Sequence, residues 1–314
     1  MGVGAKRSKH MRHVPAFTGR IKDLFHLQPG DLFLDLTLGD GGHSQEALDA
    51  GARVVSFDVD EEALSRATNF LSAKYTPVIV RPEMAIAIPV DFTWLIIHSN
   101  FAKVGEVAAK LKLPPFAAIL ADLGTSQYQL AEASRGFSFA QEGPLDMRLD
   151  QRLGLSAADL VNALSERELE QLLLLADEYQ AKPIARAIVA ARKITPFRTT
   201  GQLAKIVSEV KRAKVAKINP ATKTFMALRL AVNLEREALR AMLSATPNLL
   251  TQGGILGVIS FHSGEDRLVK HFLKEKKKAG ILRLINVKPL KPNEKELEIN
   301  PKVRSAKLRL AQKI

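Results

Sequence analysis

Gly39, Gly41 and Gly42 stand just ahead of His43, and an acid, Asp58, closes the next apolar run roughly twenty residues on. A glycine-rich turn lets backbone approach a nucleotide closely, and a carboxylate at the later position can accept from ribose hydroxyls. No third glycine falls where the six-residue dinucleotide fingerprint needs one. The pattern therefore favours a nucleoside-type cofactor without pyrophosphate, such as S-adenosylmethionine, over a nicotinamide dinucleotide; a tight turn with no ligand is the alternative. Asp60 reads as a helix N-cap. Asp35, inside an apolar strand, has to be paired or lie close to a charged group of a ligand.

Other chemistry-bearing residues follow. Asp122 ends the apolar run Phe116-Ala117-Ala118-Ile119-Leu120-Ala121, at the sheet edge where open α/β proteins bind ligands; a loop cap is its other reading. Asp146, Arg148 and Asp150 alternate acid, base and acid in a loop, and either line a substrate pocket or pin two parts of the chain by ion pairs. Phe137 and Phe139 either pack in a core or stack on an extruded base. His262 and Ser263 follow a strand beside Glu265 and Asp266, as substrate contacts or as a satisfied structural histidine. Metal-ligand spacing is absent from these groups, so no catalytic metal is expected. There is no cysteine, which excludes a disulfide framework, a thiolate zinc site and covalent thiol catalysis.

The elements that must position these groups read as an α/β protein with a helical insertion. Strands are expected over 32–36, 53–58 and 116–121, with helices over 43–50, 61–74 and 104–111, an alternation that implies a parallel sheet. Two strand-like runs, 78–80 and 94–97, compete for one place. After residue 134 the period turns helical, over 157–163, 166–178, 183–194 and 202–214, and strands resume only at 257–261 after a long helix over 224–242. Length, 314 residues, suits a core plus one further unit.

The formal charge of +13 is unevenly spread. Residues 1–22, 182–229 and 267–314 carry six, twelve and fifteen Lys or Arg against none, one and four acids, so the rest of the chain is acidic. One face meeting a phosphate backbone explains this segregation, as do solvated basic helix faces. Lys205, Lys211, Arg212, Lys214, Lys217, Arg304, Lys307 and Arg309 are the candidate phosphate contacts. Residues 1–20 hold no apolar run suited to a signal peptide, and the longest apolar stretch, 84–97, is broken by Pro89 and Asp91. A soluble, cytoplasmic protein with no membrane contact is the expectation.

Longer motifs narrow the field. Asp122-Leu123-Gly124-Thr125-Ser126, then Arg135-Gly136-Phe137-Ser138-Phe139, then Gly143-Pro144-Leu145-Asp146-Met147-Arg148-Leu149-Asp150 closely resemble the block found in the bacterial ribosomal RNA small-subunit (cytosine-N4)-methyltransferases, the RsmH or MraW family. Asn219-Pro220-Ala221-Thr222-Lys223-Thr224-Phe225, Ile259-Ser260-Phe261-His262-Ser263 and Arg304-Ser305-Ala306-Lys307-Leu308-Arg309 agree, and the match runs from His13 to near the end.

The resemblance implies a Rossmann-like class I methyltransferase core, 1–133 and 220–314, with an inserted all-helical domain, 134–219, for substrate recognition. It implies S-adenosylmethionine contacts at Gly41, Gly42, His43, Asp58, Phe101, Asp122 and Gln129, and favours 94–97 as the third core strand, leaving 78–90 as extra. Catalysis is expected at Asp122, Asp146 and His262, and substrate contact at Arg148, Asp150, Ser263, Lys211, Arg212, Arg304 and Lys307. The implied substrate is a cytidine N4 in the decoding region of 16S ribosomal RNA, within the small subunit; a homodimer is compatible with the sequence. Methylation at cytosine C5 typically needs a cysteine nucleophile, which the chain lacks. Against the family pattern, Asp40 replaces a basic residue, Gln127-Tyr128 a Ser-Pro pair and Gly264 a leucine. These departures near the site keep open a non-catalytic RNA-binding or ribosome-assembly protein on the same fold.

Overall fold

The computed structural model describes residues 14–84, 88–211 and 219–314. Eight strands form one sheet: β1 (Leu32–Asp35), β2 (Arg53–Asp58), β3 (Pro77–Val80), β4 (Trp94–His98), β5 (Phe116–Asp122), β6 (Leu250–Ser260), β7 (Leu282–Leu284) and β8 (Lys307–Lys313). Their order is β3-β4-β2-β1-β5-β6-β8-β7. The first six in that order are parallel, whereas β8 runs antiparallel to both β6 and β7. The architecture is the Rossmann-like α/β fold expected of a class I methyltransferase core. Both strand-like runs are strands: β4 takes the third core place beside β2, and β3 adds an edge outside it.

Strands buried on both faces need apolar residues at every position, and β1 shows why. Leu32 and Leu34 enter one apolar cluster, with Val55, Phe57 and Leu95, while Phe33 enters the other, with Val54, Trp94 and Ile96. Asp35 and Ser56 are fully buried polar exceptions, and they form one hydrogen-bonded group. Ser44 Oγ donates to Asp35 at 2.7 Å and lies 2.8 Å from Ser56 Oγ, which also accepts from Trp94 Nε1 at 3.0 Å.

A third apolar cluster is built mainly from helices and runs from Phe137 to Val232, with Phe137, Leu145, Met147 and Phe197 added from loops. Its helices are Ala157–Ala163, Glu166–Leu174, Ala181–Arg192, Thr200–Lys211 and Thr222–Val232. Phe137 is buried in it, and Phe139 packs edge-on against Phe225 with ring centres 4.9 Å apart, so this pair belongs to the core.

The long helix expected over 224–242 is two, Thr222–Val232 and Glu235–Leu249. Leu234 takes a left-handed backbone, φ 49°, and the Asn233 amide closes the first helix by donating to Arg229 O at 2.9 Å. Both halves are amphipathic, so the pattern alone hides the break, although the first packs in the helical cluster and the second, through Leu239, Met242 and Leu243, against the sheet. The strand expected at 257–261 starts earlier, at Leu250, and the antiparallel β7 and β8 at the tail were obscured by their basic residues.

Candidate active site

Strand order reverses between β1 and β5, and the crevice at such a reversal, outside the carboxyl ends of the strands, is where open α/β sheets bind ligands. A cleft of about 450 Å³ opens there. It is walled by the turn after β1, the ends of β2 and β5, residues 99–102, and the break between the helices Thr222–Val232 and Glu235–Leu249.

On the β2 side, Asp58 accepts from Gly39 N at 2.8 Å and from Asp60 N at 2.9 Å. Burial outweighs these donors and raises its carboxyl from 3.8 to about 6. Gly42 lines the cleft, and a Cβ there would stand 2.7 Å from Pro15. Gly41, with φ 78°, instead faces Ala67 and Leu71 and is outside the lining. Phe101 forms part of the facing wall. Gln129 is buried at the rim, where its side chain donates to Asp60 at 2.7 Å and accepts from Ser126 N at 2.9 Å. Asp60 caps the helix Glu61–Leu71, as its position suggested.

On the β5 side, Asp122 is held at two points and free at a third. Its backbone N–H donates to Thr37 Oγ1 at 2.7 Å, its Oδ2 lies 3.3 Å from His43 Nε2, and its Oδ1 is buried without a hydrogen-bond partner among the described residues. His43 is buried, and its Nδ1 is likewise unpartnered. Burial alone would lower the His43 pKa; the hydrogen bond and charge of Asp122, with Asp35 and Glu46 behind, hold it above the usual imidazole value. Burial raises Asp35, against the pull of His43 and the bonds from Ser44 and Thr37 N.

The remaining sequence candidates separate. His262 lines the cleft and caps the helix Ser263–Lys278; its Nδ1 accepts from Gly264 N at 3.1 Å, which leaves the proton on Nε2. Glu265 Oε1 sits 3.0 Å from that Nε2 but without hydrogen-bond alignment. Burial would raise Glu265, yet His262 and the charge of Arg229 hold it below the usual carboxylate range. Asp150 reaches the cleft and is paired bidentately with Arg152. Asp146 and Arg148 are outside the cleft lining and grip each other, at 2.7 and 2.9 Å. Ser263 is exposed at the helix start, outside the cleft lining.

Among the basic candidates, Lys211 is committed inward: Nζ lies 2.5 Å from the fully buried Glu178 and donates to Pro220 O at 2.6 Å. Arg309 is buried against Asp266, at 2.7 Å, and Lys307 reaches the same carboxylate at 3.4 Å. Lys205 and Arg304 are exposed. Arg212, Lys214 and Lys217 lie outside the described residues.

Three residues with no assigned role in the sequence brace the helical cluster, and two of them, Arg135 and Arg229, also reach the sheet's side of the cleft. Arg135, 2% exposed, donates to Asp60 and Glu62 at 3.1 and 2.8 Å and to the carbonyls of Arg148 and Leu149. Asn233 accepts from Leu149 N at 2.7 Å and donates to Met147 O at 2.8 Å. Arg229 pairs bidentately with Glu235 and reaches Thr125 Oγ1 at 3.4 Å. The cross-link suspected of Asp146, Arg148 and Asp150 is thus made by Arg135. An arginine within an apolar motif was the available signal; Asn233, in mid-pattern, offered none.

Comparison with known proteins decides the lineage. The model of the MraW methylase family matches residues 10–314. The chain belongs to the MraW methylase family. A protein of Acidobacterium capsulatum named ribosomal RNA small subunit methyltransferase H is 41% identical over 307 residues, covering 96% of this chain and 98% of the relative. Proteins of the same name from Cyanothece sp. and Clostridioides difficile are 41% and 35% identical, each over 96% of this chain and over 95% and 99% of their own lengths.

In this methylase two departures from the family pattern meet. Arg66 donates to Asp40 at 2.8 Å and lies with its guanidinium carbon 3.8 Å from the Tyr128 ring centre. Gln127 bonds Asn300 at 3.2 Å and accepts from Lys302 at 3.3 Å, tying the Asp122 loop to the tail. At Gly264 a Cβ would come within 3.1 Å of the His262 ring, so glycine leaves the imidazole room to fold onto the helix start.

Proposed function

We propose that this protein transfers the methyl group of S-adenosylmethionine to the exocyclic N4 of a cytidine in small-subunit 16S ribosomal RNA, in the decoding region. The observation that carries the reading is Asp122: it sits at the carboxyl end of β5 in the cleft of an MraW methylase, with one carboxylate oxygen unpartnered. The cleft also fits the cofactor, since it combines the close backbone at Gly42 with the Asp58 carboxylate.

When bound, S-adenosylmethionine supplies an electrophilic sulfonium methyl. Asp58 would accept from its ribose hydroxyls, Gly42 and His43 would border it, and Phe101 and Gln129 would close the walls. The cytosine amine is a poor nucleophile because its lone pair is delocalised into the ring. Asp122 Oδ1 accepts an N4 hydrogen and favours the localised lone pair in line with the methyl carbon. Bound there, S-adenosylmethionine would donate the methyl and leave as its thioether, and the methylated amine would release one proton to water at the cleft mouth. His262, with its Nε2 proton free, and Asp150 lie where substrate enters. Asp146 supports catalysis through Arg148 and the loop they brace.

The helical unit, 134–219 with the helix Thr222–Val232 packed into it, presents the substrate. Exposed Lys205 and Arg304 contact phosphates, which set register without reading sequence. The substrate is taken within a small ribosomal subunit in the cytoplasm. A non-catalytic RNA-binding role is not favoured: Asp40, Gln127 and Tyr128 make contacts of their own and leave Asp122 in the cleft.

The test is transfer of labelled methyl to small subunits lacking N4-methylcytidine, followed by nucleoside mass spectrometry. Label should appear as N4-methylcytidine and fall by roughly a hundredfold or more in Asp122→Ala. Cofactor binding without transfer to any RNA would refute the proposal.

A further inference from the structure

The cleft floor holds an arrangement that cofactor binding alone does not explain. His43 and Asp122 come from different strand-to-helix connections, yet both are turned toward one part-buried contact of 3.3 Å. Each contributes one atom to it and keeps one atom, His43 Nδ1 and Asp122 Oδ1, buried without a partner. Behind them lies a second carboxylate, Asp35, fixed by Ser44 Oγ at 2.7 Å and Thr37 N at 3.1 Å. Thr37 binds both acids, accepting from Asp122 N through its hydroxyl while its own N–H donates to Asp35.

Two carboxylates this near one another repel, and the charge of a protonated His43 beside them offsets that repulsion. The charged groups facing His43 are Asp122 from β5, Asp35 from β1 and Glu46 from its own helix, all acidic. Glu46 is itself occupied by Gly19 N and Ile21 N, at 2.7 and 3.2 Å, which leaves Asp122 as the directly bonded partner.

We propose that His43 is the positioning residue for Asp122: it anchors Oδ2 so that Oδ1 is the oxygen offered to the reacting amine. The inference rests on the methyl-transfer reading above and adds to it a residue that never touches the acceptor base. The imidazolium keeps its proton throughout, so the amine proton leaves by the route already described. An ionised Asp122 can only accept hydrogen bonds, as the amine requires; a protonated one offers a donor in the wrong place.

The experiment is single-turnover methyl transfer from saturating S-adenosylmethionine to small subunits lacking the modification, measured from pH 5.5 to 9. Wild type, His43→Gln and His43→Asn are compared, with cofactor affinity by calorimetry as the check on folding and cofactor contact. Glutamine preserves a donor toward Asp122 but not the charge. The expected result is a saturated rate roughly tenfold to a hundredfold lower in His43→Asn, with a smaller loss in His43→Gln, which keeps a donor toward Asp122. Because His43 also borders the cofactor, the saturated rate in His43→Asn should fall by more than the cofactor affinity does. Equal losses of saturated rate in the two variants, or a loss of cofactor affinity with an unchanged saturated rate, overturn the inference while leaving the activity standing. Absence of transfer by the wild type removes the parent reading, and this one with it.

Discussion

At the scale of single residues, Asp58 titrates where a cofactor measurement can see it. Its folded pKa, about 6, lies above the ordinary 3.8 because burial outweighs two backbone donors. A raised carboxyl favours the folded state most below pH 3.8, and that contribution is lost as pH rises through 6. Ribose recognition requires the opposite, ionised form. S-adenosylmethionine affinity should therefore fall severalfold between pH 7.5 and 5.5, and Asp58→Asn should bind more weakly with little pH dependence, as read by calorimetry. Lys211 makes a second case. Because its charge serves the buried Glu178, Lys211→Met should cost about 3–5 kcal/mol of stability in urea unfolding by leaving a buried acid unpaired. The slope of RNA binding against salt should not change.

Among elements, the consequential contact is the one Arg135 makes between the N-terminus of the helix Glu61–Leu71 and the 148–149 backbone. Truncating one partner of a fully buried ion pair leaves the other charge stranded, so Arg135→Met should lower stability by about 3–5 kcal/mol, measured by denaturant unfolding. The adjoining motif glycines answer to the same loop. A Cβ at Gly143 would lie 1.9 Å from Ala133 O, and one at Gly136 would lie 2.1 Å from Pro144 O. These glycines look like punctuation in the sequence; in the fold they are where two backbone segments touch. Much of the sheet was legible because buried parallel strands leave continuous apolar runs, as at 32–36 and 116–121. The cleft wall at Leu234 was not, because a helix break between two equally apolar halves leaves no change of period. The choice between the two readings of Asp146 also turned on partner geometry: Arg148 is two residues away, and sequence spacing does not say which cation an acid selects.

Across the whole molecule, positive charge divides into cations held by acids and cations left to solvent. Lys211, Arg229 and Arg309 belong to the first group, and Lys205 and Arg304 are exposed. Composition counts all of them alike, which is why the basic segments pointed to an anionic partner without showing which side chains meet it. Arg304→Ala should weaken binding to small subunits and reduce the log–log salt slope by about one, as measured by filter binding across salt concentrations.

The sheet's central seam also says something about how the chain acquires its shape. Ala121 on β5 pairs with Val258 on β6, and every pairing along that seam spans the whole helical unit. Closing a loop that long before any of it is ordered is entropically slow. The helical cluster is built almost entirely from contacts within one stretch, Phe137 to Val232. Collapse of that stretch first would shorten the distance β6 must cover and deliver it beside β5. The segment inserted into the sheet would then act as its assembly jig, and the cleft, whose walls come from both sides of the seam, would be the last part of the molecule to exist.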